Sequence, residues 1–297
     1  MKKTKKYKIN NNKNAFSIIM TIIFTAYAGL MVYMLAWALI NSVKLSQDFV
    51  HNPFGLPREE YGIHFENYTE VLFKFFKAQV GIEYVYIDGL FFNSILYGIL
   101  AAGLNTIIPM AVAYVVAKYN FALKNVLYTI VVVTMIMPII GGLPSMLETL
   151  RALNIYDTIF GIISMKFSFI GTYFLVFYGS WKGIDNGYAE AARIDGAGHW
   201  RIFLSIMLPL NIATMSGVFL LQFIANWNDY LTPLVYWPSR PTISYVLYNL
   251  KTSNNNGGFM RPHLFAACIM CVIPIFTLFM ITKNKIIGNI RIGGLKG

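Results

Sequence analysis

Four histidines, His51, His64, His199 and His263, and two cysteines, Cys268 and Cys271, are the residues best suited to acid–base, nucleophilic or metal chemistry. The histidines lie in four different segments, so nothing converges on a catalytic centre. The cysteines stand three apart on an uncharged stretch with no His, Asp or Glu beside them; thiols in apolar surroundings stay protonated and inert, and these read as packing residues. A Gly-x-x-x-x-Gly-Lys-Ser/Thr phosphate loop is absent. What remains is the chemistry of recognition. Gln222, Asn226 and Asp229 stand at i, i+4 and i+7 on one helical face, with Trp227 and Tyr230 near its outer end. Amides bond the hydroxyls of a solute and aromatic faces lie against its C–H surfaces. That face either lines a path or bonds a neighbouring helix. Lys166 and Tyr173, seven apart, form a second candidate face; Asn93 and Tyr97 are a third pair. Lys166 can snorkel to an interface, meet an anionic solute, or pair with an acidic residue of a partner chain, and the pairing is expected. Ser164, Ser168 and Thr172 read as a small-residue stripe for helix packing.

The elements that must position these residues are membrane helices. The 297-residue chain is 57% hydrophobic and 12% charged, against roughly 45–50% and about 25% in a soluble domain. Uncharged runs cover Asn14 to Val43, Gly89 to Ala117, Asn125 to Leu147, Ile202 to Asn228 and Pro262 to Thr282; a sixth, Thr158 to Trp181, is broken only by Lys166. Each reaches the ~20 residues that cross the hydrocarbon. The expected fold is therefore all-α, a single polytopic membrane domain over 1–297 with six transmembrane helices near 15–40, 89–117, 125–147, 158–181, 206–230 and 262–282. The first run is too long for a cleaved signal core and reads as a retained helix. Cationic residues set the orientation. Six lysines before Asn14, Lys118, Lys124, Lys182, Arg193, Arg201 and four residues from Lys283 onward fall on one side, which places both termini in the cytoplasm. The net charge of +11 thus follows from topology and anionic lipid, with no nucleic acid implied. Residues 44–88 form an outer lid with an Asn-Pro-Phe-Gly-Leu-Pro turn at 52–57. A second outer segment ends in the loop Ser253 to Gly258. Pro109, Pro138 and Pro274 permit kinks within spans.

The inner loop 182–208 carries the most specific signal. Residues 190–209 read EAARIDGAGHWRIFLSIMLP. Tyr188 to Ile194 favours a short helix, Gly196 and Gly198 permit a turn with φ > 0, and His199 to Met207 starts a second helix running into the fifth span at Pro209. Glu190, Ala191, Ala192, Asp195, Gly196, Ile206, Leu208 and Pro209 hold the register of the EAA loop of permeases of ATP-binding-cassette importers, which this stretch resembles. The likeness extends to Pro57–Leu72 with Asn67-Tyr68, to Asn93-Ser94, Pro138 with Pro144, Trp227-Asn228 with Pro233-Leu234, and the tail Gly293-Gly294-Leu295-Lys296-Gly297. Together these are similar to MalG-type permeases of carbohydrate importers, above all those for complex oligosaccharides and polysaccharide fragments; Leu295 departs from a more usual Ala-Val.

That resemblance implies a cytoplasmic coupling helix docked in a cleft of an ATPase subunit, with Ala191 and Ala192 letting it sink in. It implies a second homologous permease, two ATPase subunits carrying ATP and Mg, an extracellular solute-binding protein and an oligosaccharide substrate. The chain itself is expected to bind no cofactor and to catalyse nothing. An importer permease for a non-sugar solute remains open on the EAA loop alone. A secondary transporter would need inverted repeats and mid-membrane acids, and none of the 13 acidic residues falls inside one of the six runs, Asp229 standing just past the end of the fifth.

Overall fold

The computed structural model describes residues 15–137, 142–252 and 258–288. The N-terminal lysines, Pro138, residues 253–257 and the glycine-rich tail lie outside the described residues. The chain divides into two compact units, one drawn from Met1–Thr69 with Met260–Ile269, the other from Glu70–Phe259 with Met270–Gly297.

In the first unit, helix α1 (Ala15–Ser42) is long and apolar enough to cross a bilayer. Beyond it, α2 (Ser46–His51) and the start of α3 (Glu66–Glu70) belong to the segment expected to form the lid. The lid is fastened to the end of α1 by polar groups whose partners are backbone carbonyls. Asn67 Nδ2 donates to the carbonyls of Ser42 at 2.8 Å and Lys44 at 2.9 Å. Lys44 Nζ donates to the carbonyls of Asn52 and Gly55 at 2.6 and 2.7 Å, and burial pushes this ammonium below its ordinary pKa despite Asp48 nearby. Trp37 Nε1 donates to Pro53 O at 2.8 Å, so the proline-rich turn is tied to the helix it follows.

In the second unit a short hairpin, β1 (Ala78–Val80) and β2 (Glu83–Val85), precedes α4 (Ile87–Lys118), the longest span. Then come α5 (Lys124–Ile136), α6 (Gly142–Ala152), α7 (Ile159–Lys166), α8 (Thr172–Gly183), α9 (Gly187–Ile194), α10 (His199–Ile202) and, after a wide turn over Phe203–Met207, α11 (Leu208–Leu210). The chain continues through α12 (Ile212–Trp227), α13 (Leu231–Tyr236), α14 (Ile243–Thr252) and α15 (Arg261–Gly288), whose first residues belong to the first unit. Helix α4 packs against both α8 and α12. A core of Tyr114, Phe174, Phe177, Trp181, Ile202 and Met207 fills the space between α4, α8 and the α9–α11 segment.

Three of the expected spans appear otherwise. Among the described residues only Phe16–Ser42, Ile87–Lys118 and Arg261–Ile286 are single helices long and apolar enough to cross, and one bent pair makes up to four. The third run is helical from Lys124 only to Ile136, about 20 Å at 1.5 Å per residue, and Met137 is already extended. The fourth run is two helices. Between them Phe167–Gly171 leaves the helical path, and Gly171 takes φ +135°, open to a residue without Cβ. The fifth span begins at Ile212 rather than 206, because the chain bends by 75° between His199–Leu210 and Ile212–Trp227. Pro209 cannot donate to the carbonyl four residues back, and Asn211 at the corner departs from helical geometry, with φ −105° and ψ 9°, while its side chain accepts a bond from Ser180 Oγ.

Candidate functional site: the elbow and a polar chain between helices

Helix α9 ends in a left-handed cap. Ala197 N donates to Ala192 O at 2.9 Å, Gly196 N to Arg193 O at 3.0 Å, and Gly196 has φ +78°. This pair of reversed bonds is a Schellman motif, which turns the chain sharply into α10. Gly198, by contrast, has φ −71° and ψ 163°, so the left-handed turn rests on Gly196 alone. The elbow is clamped to the end of α4. Lys118 Nζ donates to Ile184 O at 2.6 Å and Asn186 Oδ1 at 2.8 Å, and Tyr119 OH shares a 2.9 Å hydrogen bond with His199 Nδ1. Tyr114 packs on Phe203 with ring centroids 4.7 Å apart and on Trp181 at 5.1 Å. The elbow is therefore held to α4 by packed aromatics and two side-chain clamps, not by a slack loop.

The elbow's outward surface combines carboxylates with bare apolar residues. Glu190, Ala191 and Asp195 are exposed, and Ile194 and Trp200 are 88% and 78% exposed. Beside them lies a groove of ≈ 500 Å³ lined by Asp185, Tyr188, Ala191, Asp195 and Ile206, among others. Of the alanine pair, Ala191 is exposed, whereas Ala192 is buried against the chain's own core at the floor of the same groove. Ile206 and Leu208 are half-buried against that core, while Pro209 is exposed at the start of α11.

The polar faces of the spans gather into one chain of contacts. Asn105 Nδ2 donates to Gln222 Oε1 at 3.0 Å. Asn226 Nδ2 donates to Gln222 O at 2.7 Å, and Lys166 Nζ donates to Asn226 Oδ1 at 2.9 Å. Lys166 lies 3.8 Å from Asp229 Oδ2, which also accepts from Tyr97 OH at 2.7 Å, while Asp229 Oδ1 accepts from Thr232 N at 3.0 Å. Lys166 thus meets an acid of its own chain. The reason is that α7 stops at Lys166, which turns its side chain toward α12 and the Tyr97 ring, 5.5 Å away.

Several expected candidates leave this chain. Asn93 Nδ2 donates to Pro241 O at 3.1 Å and is buried. Trp227 is buried, stacks on Phe223 and donates to Cys271 O, so it supports the helices instead of presenting a face to solute. Tyr230 stacks on Tyr248 with centroids 4.0 Å apart. Lys166 and Tyr173 do not share a helical face, nor do Ser164, Ser168 and Thr172, since the break at Phe167–Gly171 separates them.

Residues 107–287, which include the elbow and both broken spans, match the family described as "Binding-protein-dependent transport system inner membrane component". The chain belongs to this family. This permease is 24% identical to the arabinooligosaccharides transport system permease protein AraQ of Bacillus subtilis, over 96% of this chain and 97% of that protein. It is 24% identical to the diacetylchitobiose uptake system permease protein NgcG of Streptomyces coelicolor, over 94% and 88%. Its fold is that of a chain in the crystal structure of a bacterial ABC transporter involved in the import of the acidic polysaccharide alginate, with a TM-score of 0.71, 20% identity, and coverage of 94% and 99%. It is thus a multi-pass inner-membrane component of an ATP-binding-cassette importer.

Sequence reasoning missed Asn105, Lys118, Tyr119, Ile194 and Trp200 in this permease. For Asn105 a signal existed: it stands four residues before Pro109, where the helix loses a backbone bond and polar groups find work. For Ile194 and Trp200 it did not, because apolar residues in an apolar chain carry no mark of exposure.

Proposed function

We propose that this permease forms, with a second homologous permease, the membrane path of an oligosaccharide importer, and that two separate ATPase subunits drive it by gripping the elbow. The observation that carries the reading is the elbow surface itself: Glu190, Ala191, Ile194 and Trp200 exposed on a segment bolted to α4 by Lys118, Tyr119 and the Tyr114–Phe203 contact. Exposed apolar residues ringed by charge mark a protein interface, and a rigid mount is what a coupling element requires. ATP and Mg bind the ATPase partners, and this chain binds no cofactor of its own. An extracellular solute-binding protein delivers the solute.

The sugar reading is supported by the names of the relatives, arabinooligosaccharide and diacetylchitobiose permeases, and by amides and hydroxyls in the spans suited to solute hydroxyls. Both termini lie in the cytoplasm, on the same side as the elbow, with the lid residues 44–88 outside. Reconstitution of the four-part complex in liposomes tests the whole reading: sugar-loaded binding protein should accelerate ATP hydrolysis and sugar should accumulate. Uptake by this chain in the absence of any ATPase would refute it in favour of a secondary transporter.

A further inference from the structure

The break in the fourth span opens a cleft of ≈ 210 Å³ lined by Asn105, Pro109, Ser168, Gly171, Tyr173 and Gln222, among others, none of them charged at neutral pH. Four of its polar groups are unspent among the described residues. Gln222 Oε1 is taken by Asn105 Nδ2, leaving Gln222 Nε2 and Asn105 Oδ1 without a protein partner; Ser168 Oγ accepts from Ile170 N but its hydroxyl proton is not donated; the Tyr173 hydroxyl bonds nothing. Pro109 has no N–H to give the Asn105 carbonyl, so α4 also loses a backbone bond at this level. Asn105, Tyr173 and Gln222 are half-buried while Ser168 is exposed at the rim; half-buried polar groups within a span are costly to leave unpaired, and three in one small cleft point to a polar occupant.

We infer that this cleft is a subsite for one uncharged sugar ring, a role that rests on the oligosaccharide-importer reading and narrows it to neutral substrates. The size argues for a single ring: the cleft is smaller than the about 300–1,000 Å³ that holds a drug-sized ligand. Two donors, one acceptor and the Tyr173 hydroxyl, which can do either, match sugar hydroxyls, each of which both donates and accepts. The charge argues for neutrality. The cation nearest along the polar chain, Lys166, is already spent on Asn226 at 2.9 Å and Asp229 at 3.8 Å, so no unbalanced positive charge awaits a uronate. The Lys166–Asp229 pair then acts as a charge filter: it orients Asn226 and Gln222 while cancelling the attraction that an acidic sugar would need.

Ser168→Cys in the complete complex gives a direct test. With the complex held closed by a non-hydrolysable ATP analogue, alkylation of Cys at 168 by N-ethylmaleimide is followed with maltotriose, arabinotriose, diacetylchitobiose or an alginate trisaccharide delivered by binding proteins that carry them. Protection of at least tenfold by a neutral sugar and none by the uronate is expected. Asp229→Asn, which unpairs Lys166, should let the alginate trisaccharide protect in turn. Absence of protection by every sugar, protection by the uronate with the wild-type pair, or a site already blocked without sugar because the second permease fills it, would each overturn the subsite. The importer reading survives those results so long as loaded binding protein still stimulates ATP hydrolysis in the same preparation, and falls if it does not.

Discussion

A methyl group at Gly196 perturbs the elbow's turn and nothing else. The residue has φ +78°, and a Cβ built there meets no atom within 4 Å, so the cost of Gly196→Ala is backbone strain without a clash. That strain is about 1–2 kcal/mol for a residue with a side chain in the left-handed region. At about 1.4 kcal/mol per factor of ten, the native turn should lose roughly 5- to 30-fold in population against straighter alternatives. Those alternatives break the reversed bonds from Gly196 and Ala197 and swing α10, with His199, off Tyr119. Gly198→Ala is the matched control: its φ of −71° suits any residue, and its Cβ also meets nothing within 4 Å. ATP hydrolysis stimulated by loaded binding protein, measured in reconstituted complexes, should fall several-fold or more for Gly196→Ala and stay near wild type for Gly198→Ala. Equal activity in the two variants would refute the argument that the turn geometry sets the coupling.

Removing Asp229 should hurt more than removing Lys166. Asp229→Leu strands a largely buried ammonium, a loss of about 3–5 kcal/mol, whereas Lys166→Met leaves Asp229 with Tyr97 and Thr232. The yield of detergent-stable complex should drop for Asp229→Leu and recover in the double variant; no recovery would mean that the pair is not coupled. In the lid, Asn67→Leu removes both bonds to the Ser42 and Lys44 carbonyls, about 1–3 kcal/mol, and should speed proteolysis within residues 44–69. For orientation, Asn254→Cys should react with a membrane-impermeant maleimide from outside and Asn12→Cys should not; the reverse pattern would invert the topology.

The elbow was largely legible in the sequence, because Glu190, Gly196 and Pro209 act through backbone geometry and exposed charge, which residue type encodes directly. The long spans at 15–42, 87–118 and 261–288 were legible from uncharged length. The broken spans were not. Hydropathy measures transfer from water, and Phe167–Gly171 is as apolar as the helices it separates, so the break left no trace in composition. With it went the face shared by Lys166 and Tyr173, since helical spacing holds only along an unbroken helix. Gln222, Asn226 and Asp229 fared better: two lie on α12 and the third just past its end, and the structure joins all three through Lys166 or Asn226. Burial of Ala192 was not legible for a different reason: small residues serve close packing equally well within a chain and between chains.

The central claim is that the exposed face of the elbow holds the ATPase. Glu190→Lys combined with Ile194→Asp reverses the charge and removes the apolar contact at two exposed positions, Ile194 being 88% exposed, so neither change disturbs the core. Co-purification of the ATPase with the assembled permease pair measures the consequence directly. The account predicts that the second permease still co-purifies while the ATPase is lost or reduced at least tenfold. Wild-type recovery of the ATPase, with wild-type stimulation of its hydrolysis by loaded binding protein, would contradict it.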